Sequence, residues 1–222
     1  MARISNLAIS TIQANPVRTY LRMAAFAGLV LSSSLASAAT LAVNVTDVAG
    51  VPLADVAVYA EPVNAQASPK LLHTVEIEQK KRRFLPLVTV VQTGTEISFP
   101  NNDSVKHHVY SFSPAKIFDL PLYSGKTAAP QLFDKPGTVV LGCNIHDQMI
   151  AYVQVVDTPY FGKTDASGAA QLDGLPAGKY LLKAWYYRLP PLAQVVDQPI
   201  GIGGGDNRAV FKLDLKPTAD TK

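Results

Sequence analysis

Apolar and polar residues alternate with a period of two along most of this chain, in short runs separated by glycine, proline and asparagine. Thr40 to Pro62 reads as two alternating strands about a turn at Asp47 to Pro52, and Asn64 to Lys70 as an exposed loop. Val75 to Phe84 is a strand interrupted by the basic run Lys80-Lys81-Arg82-Arg83. Leu87 to Phe99 divides into two strands folded about Thr93-Gly94, and after a turn at Pro100 to Asp103 the alternation resumes from His107 to Phe112. Ser113 to Pro130, with three prolines and a glycine, predicts an irregular surface excursion. Lys135-Pro136-Gly137 then turns the chain into a short buried strand, Thr138 to Leu141. Gly142 to Gln148 makes a tight loop before the next strand, Met149 to Val156. Further on, Leu181 to Tyr187 alternates, Gly201 to Gly205 reads as a hairpin loop, and Phe211, Leu213 and Leu215 alternate with charged residues. No stretch requires a helix longer than a turn or two, so the expected class is all-β.

Composition supports a packed protein: hydrophobic residues make up 48% and charged residues 17% of the 222 positions. The first 38 residues read as an address. Arg3, Arg18 and Arg22 precede the apolar run Met23 to Leu31, and Ala36-Ser37-Ala38 fits a small-x-small cleavage site. The apolar run is too short to span a bilayer. The expectation is a signal peptide over residues 1–38, cleavage near Ala38, and a periplasmic protein without a membrane span thereafter. Removing that segment lowers Lys plus Arg from 20 to 17, against 17 Asp plus Glu. A neutral mature chain argues against general nucleic-acid binding. The basic run at Lys80 to Arg83 reads as a solvated turn or strand edge.

Cys143 is the single cysteine, so it has no partner for a bridge within the chain. In an oxidising compartment such a thiol is buried, catalytic or bound to metal. Its neighbours favour metal: in Cys143-Asn144-Ile145-His146-Asp147-Gln148-Met149, a thiolate, an imidazole and a thioether recur at intervals of three on one loop. Completed by a second imidazole, this is the donor set of blue copper, whereas zinc has little use for methionine. The second imidazole comes from elsewhere in the sequence, with His107, His108 and His73 as candidates.

Phe99-Pro100-Asn101 followed by His107-His108-Val109, together with Pro136-Gly137, a strand and Cys-x-x-His-x-x-Met, resembles the cupredoxins, and the short ligand loop resembles amicyanin in particular. The longer string from Phe84 to about Val156 resembles the cupredoxin-like proteins called methylamine utilisation proteins. The resemblance implies a Greek-key β-sandwich holding one copper ion through His107, Cys143, His146 and Met149. It places His108 and Asn101 beside the ligands, with His108 where the family has an asparagine that ties the two ligand loops together. Ile145 departs from the proline that small cupredoxins often carry before the loop histidine.

Asp47-x-x-Gly-x-Pro-Leu and Leu175-Pro-Ala-Gly-x-Tyr180 resemble a transthyretin-like, carboxypeptidase-regulatory β-sandwich. The expected organisation is therefore a copper domain over 39–157, a second sandwich over 158–216 and a tail from Pro217. Residues 39–63 are assignable to either. The resemblance implies single-electron transfer with a periplasmic dehydrogenase or cytochrome c. The alternative is a copper-binding or protein-interaction module without redox turnover. Four filled positions on one ion leave no place for a substrate, so no enzyme activity is expected.

Overall fold

The computed structural model describes residues 39–64, 74–125, 129–189 and 195–215. The leader read at 1–38 and His73 lie outside the described residues. Within them every regular element is a strand. The strands are β1 (Ala39–Asp47), β2 (Ala57–Pro62), β3 (Val75–Glu76), β4 (Glu78–Lys80), β5 (Arg83–Leu85), β6 (Val88–Gln92), β7 (Thr95–Ser98), β8 (His107–Ser113) and β9 (Lys116–Tyr123). They continue as β10 (Gln131–Phe133), β11 (Gly137–Gly142), β12 (Ile150–Val156), β13 (Phe161–Lys163), β14 (Ala169–Leu175), β15 (Gly178–Trp185), β16 (Val196–Ile202) and β17 (Asp206–Leu213).

Two hydrophobic cores organise these strands. The first lies between the sheets β14-β1-β17 and β13-β2-β15-β16 and is filled by Leu41, Val45, Val58, Leu172, Leu182 and Leu213, all fully buried. Alternation in β1 sends Leu41, Val43 and Val45 inward while Ala42 and Asn44 face water. Residues before Val63 thus pair with strands beyond Asp157, not with the region that carries Cys143.

The second core lies between the sheets β6-β12-β11-β8-β9 and β10-β7-β3, with the β4–β5 hairpin alongside. Ile77, Phe84, Ile97, Phe99, Val109, Phe133, Leu141 and Val153 pack there with Cys143 and Met149. Burying each such side chain contributes roughly 1.5–3 kcal/mol, so the loop that holds the thiol is anchored by the core of its own sandwich. A small apolar contact of Ala57, Val88 and Trp185, extended by Tyr152 and Tyr187, joins the two sandwiches. Lys163 reinforces it by donating to the Val88 carbonyl at 3.0 Å while pairing with Asp55 at 2.6 Å.

Three local expectations are corrected. Ser113 to Pro130 is not an irregular excursion, because Lys116–Tyr123 forms β9, antiparallel to β8. Proline is tolerated there since β9 is an edge strand, where a missing N–H costs no ladder bond. The strands either side of Thr93-Gly94 both form, but β6 runs parallel to β12 while β7 joins the opposite sheet. That turn therefore links two sheets, with Gly94 at φ 89°, instead of closing a hairpin. The glycine loop at 201–205 likewise joins β16 of one sheet to β17 of another. In the last two cases residue alternation located the strands, while partner choice depended on long-range packing that a local pattern does not encode.

Candidate metal centre

The site is assembled from the start of β8 and the loop between β11 and β12. In β8 the pleat sends His107, Val109 and Ser111 into the core, all fully buried. Their neighbours Tyr110 and Phe112 face outward, Phe112 being 75% exposed. The β11–β12 loop turns tightly, with the Met149 amide donating to the His146 carbonyl at 2.9 Å and the Ile150 amide to that of Gln148 at 3.1 Å. Cys143 and Met149 are buried at its two ends, His146 is half-buried between them, and Ile145 is 50% exposed.

This folding brings one ligand atom each of His107, Cys143 and His146 within 4.8 Å of one another. Cys143 Sγ lies 4.0 Å from His146 Nδ1, and the two imidazole rings meet edge to face with centroids 5.0 Å apart. Met149 joins the same core cluster as Cys143.

The orientation of His107 is fixed from behind. Its Nε2 lies 2.8 Å from Asp103 Oδ2, while Nδ1 is buried without a hydrogen-bond partner. A carboxylate accepts a proton donor, so Nε2 carries the proton and Nδ1 is left as a bare lone pair. His108 Nδ1 is buried and unpartnered in the same way, so what marks His107 is that its ligand atom lies within 4.8 Å of those of Cys143 and His146, where one metal ion would be shared among the three. A thiolate with two imidazoles, and no carboxylate among them, suits copper. The donor set therefore fits the ion that the sequence implied.

Asp103 is itself held by two backbone amides, Lys81 N–H to Oδ1 at 2.8 Å and Arg82 N–H to Oδ2 at 2.7 Å. The Arg82 amide, followed by the His107 ring and the Lys81 amide, keeps its carboxyl below the usual carboxylate range. Asn101 braces the same turn. Its Nδ2 donates to the Val105 and Tyr123 carbonyls at 2.9 and 2.8 Å, and its Oδ1 accepts the Asp103 amide at 2.9 Å. Tyr123 donates to the Phe99 carbonyl at 2.6 Å and accepts from Gln79 Nε2. Burial first, and then the nearby Cys143 charge, push the Tyr123 phenol up to about 12, although the Gln79 bond works the other way.

His108 departs from the role that the resemblance implied. It turns to the other side of the sheet, with Nε2 2.7 Å from Asp119 Oδ1 on β9 and its ring 5.5 Å from that of Tyr110. It clamps β8 to β9, on the side opposite His107, because successive strand residues face opposite sides. Asp103 was not among the residues singled out in the sequence. Its signal there was an acidic residue four positions before a candidate ligand, inside an asparagine-rich turn.

No protein-family model and no curated protein sequence matches the chain. Among solved structures it is similar to a copper-containing nitrite reductase from Thermus scotoductus, at 23% identity and a TM-score of 0.36, over 43% of this chain and 25% of that one. It is also similar to a purple cupredoxin from Nitrosopumilus maritimus, at 22% identity and a TM-score of 0.32, over 37% of this chain and 98% of that one. Amicyanin from Paracoccus versutus matches at 20% identity and a TM-score of 0.34, over 43% of this chain and 92% of that one. The chain thus spans about a quarter of the nitrite reductase and nearly all of the two smaller proteins. The case for a metal here stands on the chain's own donors.

Proposed function

We propose that this chain is an exported, single-copper protein that passes electrons one at a time between redox partners. The observation that carries the reading is the convergence of one ligand atom each of His107, Cys143 and His146 within 4.8 Å of one another. Copper bound there supplies a one-electron couple, with the Cys143 thiolate and the Met149 thioether favouring Cu(I) and the imidazoles accepting either state.

The protein's own part is to hold the donors still. His107 is braced by Asp103, Cys143 and Met149 are seated in the core, and the loop turn is closed by backbone bonds. Donors fixed in this way need little rearrangement when the charge on the ion changes. His146 is half-buried beside exposed Ile145, and its imidazole edge is the exit for the electron. The partner in this reading is a periplasmic dehydrogenase or a cytochrome c. With Met149 as the fourth donor no position stays open for substrate, so the role is carriage and not turnover. The second sandwich, built from residues 39–62 and 161–213, is read as a separate module that carries the copper domain.

Protein-film voltammetry of the copper-loaded protein tests this. The expected result is a reversible wave with the width of a one-electron couple, lost in Cys143→Ser. A protein that binds copper yet stays electrochemically silent contradicts electron transfer and leaves a binding module.

A further inference from the structure

The Lys81-Arg82 turn carries the backbone conformation least suited to its residues. The β4–β5 hairpin closes with a two-residue loop, Lys80 pairing with Arg83, and both loop residues lie in the left-handed region, at φ 52° and 55°. Asparagine and glycine adopt that geometry readily, whereas residues with long side chains adopt it at a steric cost. Strain of this kind persists where the surrounding structure uses it. Here it aims the amides of Lys81 and Arg82 at one carboxylate, Asp103. The oxygen that accepts the Arg82 amide, Oδ2, also takes the Nε2 proton of His107.

On the copper reading above, we propose that Asp103, seated in this two-amide nest, is the positioning residue that fixes which nitrogen of His107 faces the metal. The relay runs from turn to carboxylate to imidazole. Lys81 and Arg82 amides hold both carboxylate oxygens, Asp103 Oδ2 keeps the proton on Nε2, and Nδ1 is left bare for the metal. The side-chain charges of Lys81 and Arg82 take no part, since their backbone N–H groups make the contact. The basic run thus serves the metal site through its backbone conformation.

Four proteins are compared: wild type, D103A, D103N and K81N/R82G, the last keeping both amides on residues that prefer the turn. The readouts are Cu(I) affinity by chelator competition, the reduction potential, and the ring-nitrogen shifts of His107 in the metal-free protein. D103A is expected to weaken Cu(I) binding by roughly 10–100-fold. It also raises the potential, because losing the acceptor lowers the ligand's basicity, and it moves the His107 proton from Nε2 to a mixture of both nitrogens. D103N falls between D103A and wild type. K81N/R82G matches wild type in all three readouts. D103A and D103N indistinguishable from wild type in affinity, potential and ring shifts overturn the proposal. A loss in K81N/R82G equal to that in D103A overturns the nest and assigns the effect to side-chain charge. If wild type itself forms no thiolate–copper band, the copper reading fails separately. The metal-free ring shifts then still decide whether Asp103 sets the His107 tautomer.

Discussion

His107→Ala removes the visible thiolate–copper absorption, while His108→Ala next to it leaves the band in place. The two histidines are adjacent in sequence and opposite in orientation. Each bonds an aspartate through Nε2 and buries an unpartnered Nδ1, but it is His107 that points into the core and brings a ligand atom within 4.8 Å of those of Cys143 and His146. Removing one of three converging donors costs Cu(I) affinity more than the roughly 100-fold that an outer partner costs. His108→Ala loses a contact to a carboxylate whose side chain is 66% exposed, worth about 0–1 kcal/mol of stability. Titration with Cu(II), followed by competition with a chromophoric Cu(I) chelator, separates them. Loss of the band in His108→Ala with retention in His107→Ala reverses the assignment.

Gly168→Ala is expected to destabilise the other sandwich while sparing the metal donors. Gly168 sits at φ +74°, and a Cβ there meets the Val45 carbonyl oxygen at 2.4 Å and the Leu53 amide nitrogen at 3.2 Å. The contacts are backbone on both sides, and the Val45 amide already donates to the Gly168 carbonyl at 2.8 Å, so neither partner can yield cheaply. Left-handed strain and overpacking together cost about 2–5 kcal/mol. Thermal unfolding shows this as a lowered midpoint, with the copper spectrum unchanged at temperatures where the protein stays folded. An unaltered midpoint contradicts the tight apposition of β1 and the turn before β14.

Much of the architecture could be read from alternation. Leu41, Val43 and Val45, or Val139 and Leu141, mark an inward face by spacing alone, and β1, β8, β11 and β12 lie where the pattern puts them. The loop Cys143 to Met149 was legible for a different reason, since three sulfur and nitrogen donors at intervals of three are rare in a chain with one cysteine. Illegible parts have a common physical origin in contacts between distant segments. Lys116–Tyr123 looked irregular because Pro121 interrupts it and Pro114 and Gly125 flank it, yet an edge position forgives a missing amide. Residues 39–63 were assignable to either sandwich, since the pairing of β1 and β2 with β13, β14, β15 and β17 joins segments far apart in the chain. Asp103 escaped notice because its partners are backbone amides some twenty positions earlier, and no side-chain motif records those. The contact of His108 with Asp119 was illegible because it depends on β9.

The most direct test of the central claim is the visible absorption spectrum of the mature protein on adding Cu(II), run beside Cys143→Ser. An intense thiolate-to-copper band in wild type that is absent from the variant is the predicted result. It places the ion on Cys143 with the two histidines. Colourless solutions of both, or equal bands in both, contradict a copper–thiolate centre at this site.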